Sequence, residues 1–229
     1  MKKVFVRTKN VKNFVDLMNN LKNSTSEIPK MGLIYGDPGL GKTQTAIWWA
    51  AKNNAVYIRA QNRMTSKWLL ERIVYELGEA AIRRKTSDLV DQCISHLRLQ
   101  PQMIIVDEID YLVNRVATIE TLRDIHDLAN IPIVLIGMLN AKAKLGTYKH
   151  LYDRISEKLE FNTFSQEDVD IIVDELSEVK ITDEAKIIIF EKINRFRQLI
   201  KAISIIETLA TTNGLTKVDE KHVKGLSFE

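Results

Sequence analysis

Residues 31–60 read MGLIYGDPGLGKTQTAIWWAAKNNAVYIRA. The apolar run Met31–Gly36 has the length and β-branched content of a buried strand, and a helical pattern follows the Gly-rich loop. Gly36, Asp37, Pro38, Gly39, Leu40, Gly41, Lys42 and Thr43 match G-x-x-x-x-G-K-[ST] between that strand and that helix. Glycines at this spacing let successive backbone N–H groups turn inward at a helix N-terminus, which makes a nest for phosphate. Lys42 can reach β- and γ-phosphates, the Thr43 hydroxyl can ligate Mg²⁺, and Gln44 follows in the same turn. Trp48 and Trp49 lie on the next helix, where packing is expected of them before base stacking.

Working outward, "AVYIRA", "QMIIVDE", "IPIVLIG" and "KLEFN" read as further short buried strands. Helical patterns separate them: "SKWLLERIVYELGEAAI", "SDLVDQCISHL", "TIETLRDIHDLA" and "AKLGTYKHLYDRIS". Strand–helix alternation predicts an α/β fold, a parallel sheet sandwiched by helices. After about Asn162 strands are expected to stop. Ser165 with Asp168 resembles a capping box, Thr182 opens a second helix, and "QLIKAISIIETLA" is a third, ended by Asn213-Gly214. The expected organisation is a phosphate-loop domain over 1–162 and a small helical lid over 163–229.

The second chemical element is "MIIVDEID". Asp107 ends a buried strand, where its carboxylate can hold Mg²⁺ through water. Glu108 comes next, placed to polarise an attacking water. The loop and the Asp-Glu pair together imply ATP hydrolysis.

Composition bounds the rest. A chain of 229 residues can bury a sizeable core, and its 45% apolar content is that of an ordinary globular protein. No apolar run is long enough to cross a bilayer, and the basic N-terminus lacks a signal-peptide core. The single cysteine, Cys93, excludes an internal disulfide, so a reducing cytoplasm is expected. The net charge of +3 hides an asymmetry. Residues 1–159 hold 24 Lys/Arg against 16 Asp/Glu, and residues 160–229 hold 9 against 14. Either both parts are simply solvated, or the first part meets phosphates and the second does not.

With these motifs the chain resembles the AAA+ ATPases, and within them the DNA-transposition helper ATPases of the phage Mu B type. The narrower resemblance rests on "GDPGLGKTQTAIWWAAKNNAVYIRA", the following "MTSKWLLERIVYELG", and the compact lid. It implies ATP and Mg²⁺ as cofactors and three further site residues. Sensor 1 falls on Asn140 in "IVLIGMLN", the arginine finger on Arg154 in "LYDRISEKLEF", and sensor 2 on Arg197 in "INRFRQLI", with Arg195 as competitor. The plainer alternative is that Arg154 simply pairs with Asp153 or Glu157 on a helix surface. A finger supplied in trans puts the active site at a heterologous interface, which closes into a ring or runs on as a helical filament.

The Mu B type carries a separate N-terminal DNA-binding domain, whereas about thirty residues precede the first core strand here. DNA contact is therefore expected from the ATPase domain itself. Candidates are Arg59, Arg63 and Lys67, then Arg83, Arg84 and Lys85, then Lys142, Lys144 and Lys149. Each can be an ordinary solvated charge; as a set they can track phosphates without reading sequence. The leading expectation is an ATP-dependent, sequence-non-specific double-stranded-DNA-binding ATPase that oligomerises on target DNA and delivers it to a transposase, with no membrane partner. A replicative helicase loader and a nucleotide-gated protein-binding switch are the alternatives.

Overall fold

β1 (Met31–Gly36) is buried along its whole length, in keeping with a strand flanked on both sides. In the computed structural model, which describes residues 1–25, 27–81, 85–193, 195–226 and 228, β1 pairs with β4 (Ile133–Ile136) and β5 (Ile155–Phe161). β2 (Val56–Arg59) and β3 (Ile104–Asp107) complete a five-stranded sheet, order β2-β3-β4-β1-β5, with every pairing parallel. This is the α/β fold that the strand–helix alternation predicts. The order also fixes the chemistry. β1 and β3, which end in the Gly-rich loop and in Asp107, are separated only by β4.

The chain divides into two compact units. One comprises Asn13–Asp37 and Lys42–Phe161. Within it, α1 (Lys9–Asn23) turns Phe14, Leu17, Met18 and Leu21 inward, and Phe14 meets Phe161 edge-on at 6.3 Å. α2 (Lys42–Asn53) buries Ala46, Trp49 and Ala50, so Trp49 is a packing residue, while half-buried Trp48 carries the Lys52 ammonium over its ring. α3 (Ser66–Glu76) starts at Thr65, whose hydroxyl accepts from the Trp68 amide, and buries Leu69, Leu70, Ile73 and Val74. Each of these four contributes roughly 1.5–3 kcal/mol by leaving water. The long pattern through "ELGEAAI" stops early, because Gly78 takes a positive φ just past the helix. α4 (Thr86–Leu99) brings Cys93, fully buried, into the same core, and α5 (Val116–Ala129) adds Ile119, Leu122 and Ile125.

"AKLGTYKHLYDRIS" is not one helix. It forms α6 (Leu139–Leu145) and α7 (Lys149–Tyr152), and its last two residues open β5. Gly146 and Thr147 turn the chain between the two helices. The ladder with β1 starts at Met31 and Ile155 and resumes at Gly32 and Glu157, so Ser156 belongs to β5 but falls in a register shift.

The other unit comprises Met1–Lys12, Pro38–Gly41 and Asn162–Glu229. α8 (Gln166–Leu176) opens with the Ser165–Asp168 capping box and buries Val169, Ile172, Val173 and Leu176. α9 (Asp183–Lys192) is capped by the Thr182 hydroxyl, α10 (Phe196–Thr212) carries a long apolar face, and α11 (Glu220–Lys224) is capped by Asp219. Strands do not stop at Asn162, contrary to the sequence expectation. β6 (Lys180–Ile181) pairs in parallel with β7 (Lys217–Val218), burying Ile181 and Val218. Two-residue strands are too short to leave a period in the sequence.

Candidate nucleotide-binding site

Gly36 ends β1 opposite Phe161 of β5, with φ +147°, and a Cβ there would stand 2.4 Å from the Phe161 carbonyl oxygen. Only glycine fits between the loop and the edge of that ladder. Gly39 and Gly41 also take positive φ, 82° and 92°, as the inward turn of backbone amides requires. Leu40 is buried and anchors the crest; Asp37 is half-buried and Pro38 exposed. Lys42 begins α2 and its ammonium donates to the carbonyls of Gly36 and Asp37, both at 2.8 Å. Burial lowers the Lys42 pKa, while the charges of Asp107, Asp110, Asp37 and Glu108 work against that shift. A cation so surrounded is held beside the loop, within reach of a phosphate chain. Thr43 is half-buried in the first turn of α2, and Gln44 is exposed.

Asp107 is the last residue of β3 and is 3% exposed. Its Oδ1 accepts from the Glu108 amide and its Oδ2 from the Tyr57 hydroxyl, each at 2.8 Å. Burial, and then the neighbouring Asp107 charge, raise the Tyr57 pKa, so the hydroxyl stays a donor. Glu108 adopts the left-handed conformation, φ 57° and ψ 39°, which costs a non-glycine residue about 1–2 kcal/mol. Its Oε1 accepts from Arg59 Nη2 at 2.8 Å. Asp110 in the following turn accepts from the Met138 amide at 3.0 Å, tying the end of β3 to the end of β4.

A metal at this place would meet hard oxygen donors, the Thr43 hydroxyl and the Asp107 carboxylate, the donor set Mg²⁺ prefers. Among the described residues no group of three or more His, Cys, Asp or Glu could hold a metal ion.

The remaining candidates are placed differently. Asn140 is exposed in the first turn of α6, four residues beyond Ile136 at the end of β4. Arg154 lies between α7 and β5, not on a helix, and pairs with neither Asp153 nor Glu157. Its guanidinium meets Asp127 of α5 at 3.2 and 3.4 Å, because the turn before β5 aims it at the α5 surface. Arg197 is exposed in the first turn of α10. Arg195 is the N-cap of that helix; the neighbouring Phe196 amide donates to the Gly39 carbonyl at 2.9 Å, within the unit that holds the loop crest.

Several basic candidates have partners of their own. Arg59 holds Glu108, Lys67 faces Glu71 at 3.9 Å, and Lys142 donates to the Tyr35 hydroxyl at 2.8 Å. Arg63, Lys85, Lys144 and Lys149 are exposed, whereas Arg83 and Arg84 lie outside the described residues. Sequence reading passed over Tyr57, Asp110 and Asp127. Nothing in "VYIR" alone could have found Tyr57: it shares one face of β2 with Arg59, and only the β2–β3 register sets Arg59 opposite Asp107.

A family profile described as "AAA domain" matches residues 26–145, just over half of the chain. A "Potential ATP-binding protein" of Staphylococcus aureus is 26% identical over 260 residues, covering 96% of this chain and 94% of that protein. The "ATP-dependent target DNA activator B" of Escherichia phage Mu is 26% identical over 178 residues, 74% of this chain and 55% of that one, so the match spans about half of the phage protein. Among solved structures, the Aeropyrum pernix ORC2 protein, in ADPNP–ADP complexes, superposes with a TM-score of 0.71 at 16% identity, covering 98% of this chain and 69% of that one. At that identity the likeness is one of fold.

Proposed function

The chain belongs to the AAA family and is a P-loop ATPase, and on that premise we propose that it binds duplex DNA without regard to sequence, assembles on it with ATP, and presents it to a transposase. In this reading ATP phosphates sit on the amides of the 36–43 loop, and Lys42 leaves the Gly36 and Asp37 carbonyls for the β- and γ-phosphates. The Thr43 hydroxyl, and the Asp107 carboxylate through water, would hold Mg²⁺, which would supply charge neutralisation of the phosphate oxygens. Glu108 orients the attacking water once its carboxylate leaves Arg59. Arg154 of a neighbouring copy neutralises charge on the transferred phosphoryl, after exchanging Asp127 for it. Residues 163–229 serve as the lid of the ATPase.

The observation that carries the reading is the Arg59–Glu108 ion pair at 2.8 Å. In this reading Arg59 exchanges Glu108 for a DNA phosphate and so frees the carboxylate that orients water, which would make DNA and ATP act on one contact. Similarity to a phage protein named for ATP-dependent activation of target DNA supports the same reading. The test is duplex binding with and without a non-hydrolysable ATP analogue, across a salt series. ATP-dependent binding should weaken steeply with salt, log affinity falling by about 0.9 per phosphate neutralised against log salt, and scrambling the DNA should matter little. Electron microscopy of the same samples should show rings or filaments. Binding indifferent to both salt and ATP would overturn the reading and favour a protein-only switch.

A further inference from the structure

We propose that Tyr57 is a positioning residue that fixes the orientation of the Asp107 carboxylate for its metal. The inference rests on the reading that Asp107 holds Mg²⁺.

β2 and β3 run parallel with Tyr57 opposite Ile105 and Arg59 opposite Asp107. Side chains two apart on a strand share a face, so Tyr57 stands on the face that carries Asp107 but two residues behind it. The length of a tyrosine covers that step, and the hydroxyl reaches Oδ2 at 2.8 Å. The other oxygen, Oδ1, takes the Glu108 amide at the same distance. Each oxygen of a carboxylate that is 3% exposed thus has one donor, and the two donors fix the carboxylate plane against rotation. Each oxygen keeps a further lone pair for a metal-bound water. Outer partners of this kind orient metal ligands, and losing one typically costs about 10–100-fold in metal affinity. An aromatic ring alone would fill the space beside β3; the hydroxyl is what meets the carboxylate.

The test compares the 229-residue chain with its Tyr57→Phe and Asp107→Asn variants. Calorimetric titration of ADP and of a non-hydrolysable ATP analogue is run in EDTA and then over a Mg²⁺ series. Mn²⁺ binding in the presence of nucleotide is followed by electron paramagnetic resonance. Tyr57→Phe keeps the ring, so melting in EDTA should match the parent and report an intact fold. Its metal-free nucleotide affinity should also be unchanged. The Mg²⁺ concentration giving half of the metal-dependent tightening should rise about 10-fold or more, with a parallel loss of Mn²⁺ affinity. An unchanged Mg²⁺ dependence in Tyr57→Phe, with a large shift in Asp107→Asn, would overturn the Tyr57 role and leave the metal reading standing. No shift in Asp107→Asn would overturn the metal reading, and the Tyr57 role with it. Equal losses of affinity with and without metal in Tyr57→Phe would make the tyrosine a packing residue, and so refute the proposal.

Discussion

Replacing Gly36 with Ala tests the geometry of the phosphate loop most directly. The new Cβ would lie 2.4 Å from the Phe161 carbonyl oxygen and 3.2 Å from the Phe161 Cβ. The first of these is well inside any real carbon–oxygen contact. The opposing atom is backbone, fixed by the β1–β5 ladder, so no side chain can swing aside. Overpacking of this kind costs about 1–3 kcal/mol, and holding alanine at a positive φ adds about 1–2 kcal/mol. The sum, about 2–5 kcal/mol, corresponds to a melting temperature lower by roughly 4–20 °C for a chain of this size. The Gly36 carbonyl also receives the Lys42 ammonium, so relief of the clash moves the phosphate-binding lysine, and nucleotide affinity should fall by about tenfold for each 1.4 kcal/mol of misplacement. Gly41→Ala is the matched control. Its φ is 92°, but nothing lies within 4 Å of the added Cβ, so only the conformational cost of about 1–2 kcal/mol applies. Differential scanning fluorimetry and calorimetric ATP titration read both effects. Gly36→Ala melting within about 2 °C of the parent, or Gly41→Ala melting lower than Gly36→Ala, would refute the reasoning.

Glu108→Gln should still bind ATP while phosphate release slows about 10²-fold or more; undiminished turnover would remove Glu108 from the reaction. Arg59→Ala removes an ion pair whose arginine is largely exposed, so stability should barely change, yet basal turnover should rise about 2–5-fold as Glu108 is freed. An unchanged or slower basal rate would count against the restraint. His126 is buried, and burial pulls its pKa below the ordinary value despite the Ile131 carbonyl at Nδ1. The unfolded chain therefore takes up a proton below about pH 6.5 that the folded protein resists. Its contribution is whole above that pH and is lost as pH falls through the lower folded value, at no more than about 1.4 kcal/mol per pH unit. His126→Asn should flatten melting temperature against pH between 7.5 and 5, and a slope equal to the parent's would exclude His126 as its source.

The fold was legible where chemistry is local. The five strands show as short apolar runs, and the glycines of the 36–43 loop mark a backbone turn that few other residues can make; β1, β3 and β4 are buried throughout, but β5, expected to be buried, lies at the sheet edge with its middle residues exposed or half-buried. Strand order was not legible, because nothing in "MIIVDE" or "IVLIG" says which run lies beside β1. Partners set by register were hidden too. Tyr57 reaches Asp107, and Arg59 reaches Glu108, only because β2 and β3 align Arg59 with Asp107. Arg154 meets Asp127 across 27 positions of chain, whereas its sequence neighbours Asp153 and Glu157 were the partners expected of it as an ordinary surface charge. For Asn140 the sequence did not mark where β4 ends: the strand stops at Ile136, and the asparagine is the second residue of α6.

Cys93 has a practical consequence. It is the chain's single cysteine, fully buried, with its thiol pushed up to about 12 by burial. At neutral pH such a sulfur is neither exposed nor a thiolate, so a maleimide has almost nothing to attack. A cysteine added at an exposed position such as Leu99, which is 84% exposed, becomes the site where a dye attaches, with the native residue left in place. Donor- and acceptor-labelled batches made this way would report, by energy transfer, whether ATP and DNA bring copies of this chain together.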